Sequence, residues 1–148
     1  MSPASTIPTN PPERLQWFYR QLAQTRERAL DHLHEIFTGD IEFRDPFRET
    51  HGIHTFRGLF LRMFKQYPTV YFTDYRTVGA GDRFTLTYDM HLRMPVGPTF
   101  VTPLASVCRV RDGLVFELHD YYDLVGGLLS PLRPVQRAYR TTVRALFL

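Results

Sequence analysis

A chain of 148 residues with 43% hydrophobic and 14% aromatic side chains has the size of one globular domain, and this composition excludes intrinsic disorder. The net charge of +3 and the pI near 9.2 rest on arginine, Lys65 being the lone lysine. So mild an excess serves solubility and gives no ground for nucleic-acid binding. The single cysteine, Cys108, rules out an intrachain disulfide, and neither CxxC nor HExxH is present.

No metal and no cofactor are therefore expected. No apolar run reaches the roughly 18 residues that a membrane-spanning helix needs. The N-terminus shows no charged, apolar and cleavable succession, and a cytoplasmic setting is expected.

In chain order, residues 1–11 are rich in Ser, Thr and Pro, lack periodicity and read as a flexible leader. A domain is expected over 12–130 and an amphipathic helix over 131–148. The first helix starts near Pro12, with Leu15, Phe18, Tyr19 and Leu22 on one face. A second helix is predicted from Glu27 to Phe37, with Gly39 as its stop. Ile41 to Phe43 reads as a short strand ended by Asp45-Pro46, and Thr50 to Gly52 as loop. A third helix, Ile53 to Gln66, carries Phe56, Leu59, Phe60, Met63 and Phe64 as its buried stripe.

Beyond Pro68 the period changes to two. Val70 to Val78, Arg83 to Met94, Thr99 to Val110 and Leu114 to Asp123 read as strands, and Asp112-Gly113 is a strong hairpin signal. Helices grouped on one side of such an antiparallel meander make an α+β fold. A strongly curved sheet wrapped round the N-terminal helices leaves a cone-shaped concave space, a natural ligand site. Leu132 to Phe147 is a terminal helix with Arg133, Arg137, Arg140 and Arg144 at helical spacing. It reads as a solvated basic face or, more sharply, as a contact with an anionic membrane surface or a partner.

The stretch Ile41-Glu-Phe-Arg-Asp-Pro-Phe47, then Gly52 and the aromatic helix, resembles the opening strand and helix of the nuclear transport factor 2-like superfamily. Asp112-Gly-Leu-Val-Phe-Glu-Leu-His-Asp-Tyr-Tyr-Asp123 is similar to the last strand of its SnoaL-like members, with Tyr122 where those often carry Trp or Phe. The resemblance covers about residues 12 to 124. It implies a cone-shaped cystatin-like fold, a small hydrophobic ligand and a homodimer. Activities in the superfamily range over isomerases, epoxide hydrolases, dehydratases and polyketide cyclases, so the fold does not fix the reaction.

Two carboxylates match catalytic positions. Asp45 occupies the place of the ketosteroid isomerase base, against the plain alternative that it turns the chain before Pro46. That isomerase pattern also uses a Tyr on the first helix, and Tyr19 is the tyrosine there. Asp120 matches the water-activating Asp of limonene-epoxide hydrolases, against the alternative of a structural Asp bonded to a neighbour.

On the last strand Phe116, Leu118, Asp120 and Tyr122 share the more apolar face, expected to point inward, and Val115, Glu117, His119, Tyr121 and Asp123 the other. On the strand from Arg83, Tyr88 and Met90 belong to the apolar face. Asp89 and His91 belong to the polar one and form the alternative polar cluster; the Arg of the epoxide-hydrolase triad is missing. Tyr19, Phe60, Tyr88, Met90, Leu118 and Tyr122 are thus the expected substrate-binding residues, with Asp45 and Asp120 as candidate bases. Val115, Tyr121, Val107 and Ala105 are expected to serve the dimer. Two classes stay open: a cofactor-free isomerase, hydrolase or cyclase using an Asp base, and a non-catalytic binding module with the same pocket.

Overall fold

The structure, a computed structural model, describes residues 6–147. Residues 1–5 of the expected leader lie outside the described residues. The rest of the leader is tied down. Ile7 packs against the core, and the Arg14 guanidinium donates to the Pro8 and Thr9 carbonyls at 2.7 Å each. The same arginine donates to the carbonyls of Glu35 and Gly113, so one side chain binds leader, helix and hairpin together.

Helix α1, Pro11–Thr25, opens on two prolines, whose missing N–H groups cost nothing in a first turn. It buries Leu15, Phe18, Tyr19 and Leu22. The single helix expected from Glu27 to Phe37 is instead a 3-10 turn, Arg26–His32, followed by a short α2, Leu33–Ile36. Phe37 is claimed by the sheet. It opens strand β1, Phe37–Arg44, and pairs with Val115.

The segment expected as loop from Thr50 forms a strand too. Asp45 turns the chain through Arg48, and β2, Glu49–His51, folds back on β1 with Phe43 opposite Thr50. Helix α3, Ile53–Gln66, lies where its pattern predicts. Phe56 and Phe64 are buried, whereas Leu59, Phe60 and Met63 are only partly covered, because they face a hollow and not a solid core.

Strands β3, Thr69–Ala80, β4, Arg83–Arg93, β5, Thr99–Arg111, and β6, Leu114–Tyr122, complete one six-stranded sheet of order β2-β1-β6-β5-β4-β3. All pairings are antiparallel except that of β1 with β6, which is parallel. β3 is bulged between Thr73 and Arg76, with Asp74 at φ 56°. β6 is bulged opposite the Arg109–Val110 step. Bulges sharpen local twist and bend, and they help the long strands curl around the helices.

The β6 bulge also corrects the expected faces. Leu118, Asp120 and Tyr122 do point inward, but Val115 is buried and Phe116 is turned out. There the guanidinium groups of Arg109 and Arg111 lie over the Phe116 ring at 5.0 and 4.9 Å. Val115 therefore takes no part in an outer-face interface.

Two helices follow the sheet. The short α4, Leu124–Leu128, had no sequence signal. It is capped by Asp123, whose carboxylate accepts from the Gly126 N–H at 2.8 Å. Gly127 presses directly on β5, where a Cβ would stand 2.7 Å from Thr102 Cβ. Helix α5, Arg133–Phe147, buries none of its residues. No helix of the described residues is long and apolar enough to cross a membrane.

Gly127→Ala is expected to lift α4 off β5, because backbone-close overpacking costs about 1–3 kcal/mol. Limited proteolysis should cut faster around residues 124–132, with the far-UV spectrum unchanged.

Candidate functional site

The curled sheet and the helices enclose a cavity of about 560 Å³. That lies within the ordinary range for small-molecule sites. Its deep wall is made by the buried Tyr19, Tyr88 and Leu118, and its mouth by the exposed Phe47, Arg48, Arg62 and Met94 together with Leu124 and Leu128 of α4. The wall is largely aromatic and aliphatic. Phe60, Phe72, Met90 and Leu92 belong to it, and Tyr19 packs against the rings of Phe72 and Tyr88 at centroid distances of 5.0 and 4.9 Å.

Sheet register sets a carboxyl into this wall. Ser106 of β5 stands opposite Asp120 of β6. The Ser106 hydroxyl donates to Asp120 Oδ1 at 2.5 Å, and the Tyr88 hydroxyl lies 3.0 Å from Ser106 Oγ. A serine has one proton to donate. With Asp120 ionised that proton goes to the carboxylate, and Tyr88 donates to Ser106 in turn. The result is a chain Tyr88–Ser106–Asp120 ending on a carboxyl at the cavity.

Burial pushes the Asp120 carboxyl up to about 7. The Ser106 hydrogen bond opposes the rise, and the negative charge of Asp45 adds to it. The neighbouring phenols are raised as well. Tyr19 and Tyr88 are pushed well above their ordinary value, first by burial and then by the Asp120 charge. Tyr122 is pushed up to about 12, again by burial first and the Asp45 charge second. All three are therefore protonated at neutral pH. The Cys108 thiol, fully buried, is raised by burial and by Asp120 and is no nucleophile.

Asp45 lies at the mouth with its side chain only 7% exposed. Its Oδ1 accepts from the backbone N–H of Phe47 and Arg48 at 2.8 and 2.9 Å, and Oδ2 pairs with Arg48 Nε at 3.0 Å. Those bonds are the turn that returns the chain to β2. The six expected ligand-facing residues, Tyr19, Phe60, Tyr88, Met90, Leu118 and Tyr122, all line the cavity.

Asp89 and His91 do not. They lie on the outer face, where the His91 ring stacks on Tyr71 at 4.3 Å and its Nε2 lies 2.9 Å from Thr73 Oγ1. A cluster of Asp89, His91 and Asp120 is therefore not assembled, because successive residues of a strand point to opposite faces. The residue that sequence reasoning missed is Ser106. The inward phase of Leu104 and Cys108 was its only signal, and its partner depends on a register that the bulge sets. Among the described residues no group of three or more His, Cys, Asp or Glu is placed to hold a metal ion.

A curled sheet over helices, enclosing a largely apolar cavity, is the fold of a known class. The SnoaL-like domain family matches residues 17–118, and the chain belongs to that family. Its fold is shared by a protein from Jannaschia Sp. CCS1, provisionally assigned as a SnoaL-like polyketide cyclase. The two superpose with a TM-score of 0.71 at 16% identity, over 87% of this chain and 96% of that one. A hypothetical protein of ketosteroid isomerase-like fold from Catenulispora acidiphila DSM 44928, solved with trimethylamine, gives 0.66 at 23% identity, over 78% and 88%. TerC co-crystallised with polyporic acid gives 0.66 at 14% identity, over 78% and 93%. No curated protein matches the chain in sequence.

Between about pH 4 and about 7 the folded chain holds a proton on Asp120 that the unfolded chain releases, so the fold loses stability as pH rises through that window. Asp120→Asn is expected to remove this loss. By thermal denaturation the variant should be more stable than the parent at pH 8, by about 1–4 kcal/mol, and equal to it near pH 4. Ser106→Ala takes away the opposing hydrogen bond. It should move the Asp120 midpoint further up in a carbon-13 carboxyl titration.

Proposed function

We propose that this SnoaL-like chain takes a small apolar, oxygen-bearing molecule into the cone and moves a proton on it with Asp120 as general base. The observation that carries this is the Asp120 carboxyl, raised to about 7 at an apolar cavity wall and oriented by Ser106. A base works best when its midpoint lies near the working pH, because it is then both populated and strong enough to accept.

Tyr122 lies two residues further on the same strand face and lines the same wall. Its hydroxyl makes no hydrogen bond to another described residue, so its phenol is the donor for a ligand oxygen. An enolate or alkoxide oxygen developing there would be stabilised by this donor in a site of low polarity. The Tyr88 proton is committed to Ser106. Tyr88 therefore orients the base, and Asp45, committed to its turn, modulates the base by charge.

The names given to structural neighbours, polyketide cyclase among them, favour ketone-bearing ligands within this class. The reaction type, whether isomerisation, hydration or ring closure, follows from the ligand. A binding module with the same pocket is the alternative, and the two readings part on Asp120.

The discriminating experiment follows hydrogen–deuterium exchange at carbons next to the carbonyl of apolar ketones by NMR in deuterium oxide. The parent chain is expected to accelerate exchange, with a rate that rises through pH 7 and then levels as Asp120 ionises. Asp120→Asn should lose about 10²–10⁴-fold while still binding the ketone. Asp45→Asn should keep exchange, with its midpoint moved down by loss of the nearby charge. Binding without exchange in the parent would leave the non-catalytic reading.

We also propose that two copies pair through the outer face of the sheet, where Ala105, Val107 and the exposed Tyr121 lie on neighbouring strands. Tyr121→Asp should halve the mass seen by sedimentation velocity. A monomeric parent chain would refute the pairing.

A further inference from the structure

We propose that α5 docks the chain in the plane of an anionic lipid surface, with the cavity mouth turned toward the bilayer. The charge of the chain is localised there. No Asp or Glu follows Asp123, while Arg133, Arg137, Arg140 and Arg144 all lie beyond it. Residues 1–123 carry 14 basic against 15 acidic side chains, so the whole positive excess belongs to this segment.

The arginines recur at i, i+4, i+7 and i+11 and make one stripe. Val135, Tyr139, Val143 and Leu146 recur at i, i+4, i+8 and i+11 and make a second. A packed helix would bury the apolar stripe. This one fully buries no residue: Val135 and Leu146 are 49% and 71% exposed, and Tyr139 and Val143 are only partly covered. A helix of 15 residues with an apolar stripe, arginines along its polar face and little net hydrophobicity is built to lie at an interface between water and lipid.

Exposed apolar side chains occur on α4 as well. The Gln136 side-chain amide donates to the Gly126 carbonyl at 2.8 Å and so fixes the first turn of α5 to α4. Leu124, Val125 and Leu128 of α4 are themselves exposed, and Leu124 and Leu128 form part of the cavity mouth. Docking through both helices places the mouth against the layer in which an apolar molecule dissolves. That consequence rests on the pocket reading given above; the docking itself does not. A second copy is the weaker occupant. A two-fold contact of α5 with itself would use the apolar stripe alone and leave four arginines with no acidic side chain on either helix to answer them.

The test is co-sedimentation of the full chain with phosphatidylcholine vesicles, with and without phosphatidylserine, at low and high salt. Retention by the phosphatidylserine vesicles alone, released by salt, is expected. Each arginine near such a surface strengthens binding about fivefold, so Arg137→Gln with Arg140→Gln and Arg144→Gln should weaken it about a hundredfold. All three side chains are exposed, which spares the fold.

Leu146→Trp should show a blue-shifted emission on the phosphatidylserine vesicles if the apolar stripe enters the lipid. Equal retention by both vesicles, or retention that ignores the arginines, overturns the proposal. So does an α5-dependent self-association that persists while the vesicles stay unbound. Ketone exchange is measured separately in solution, so loss of vesicle binding with exchange intact refutes the docking and leaves the pocket reading standing.

Discussion

Strand β6 carries one residue more than β5 can pair, and Phe116 is the one left over. Before it, Val110 faces Val115; after it, Arg109 faces Glu117 and Ser106 faces Asp120. A regular ladder from the Asp112-Gly113 turn would set Asp120 opposite Ala105 and turn it to the outside, since a slip of one residue reverses every side chain. The extra residue is accommodated because the Phe116 ring finds cover outside, beneath two guanidinium groups. The position of the carboxyl, its contact with Ser106 and the polarity of the cavity all descend from that local choice.

Once inside, the carboxyl is managed by neighbours with separate duties. Ser106 supplies the hydrogen bond that keeps Asp120 from being a simple buried acid, and Tyr88 holds Ser106 in place. Asp45 stays at the mouth, saturated by two backbone amides and Arg48, and reaches Asp120 only through its field. Two carboxylates that look equivalent in sequence thus part: Asp45 is spent on its turn, and Asp120 is the one left at the cavity wall for the proposed base. The division is set by which of them has its lone pairs already filled.

Much of this was legible in the chain itself. The period-two stretches after Pro68 announced the sheet, and the stripe of α3 announced the aromatic wall; both are long patterns that tertiary packing reinforces. The inward set of β4, with Tyr88 and Met90, followed from simple alternation. What stayed hidden depended on pairing between distant segments. Phe37 became strand because Val115 was there to meet it. Glu49–His51 became strand because the Asp45 turn brought it back, and Val115 and Phe116 exchanged faces at a bulge with no marker glycine. Ser106 was invisible for the same reason, since a small polar residue on an apolar strand face gains meaning only from the residue opposite.

Cys108 adds a feature of practical use. Its thiol is fully covered and electrostatically discouraged from ionising, and it sits two residues from Ser106 on the same strand face. As the sole sulfhydryl in the chain, it is silent to alkylating reagents while the fold is closed and reacts only when β5 parts from its neighbours. The rate of that alkylation is a built-in gauge of how often the wall behind Asp120 breathes, and it reads this without any ligand, dye or engineered probe.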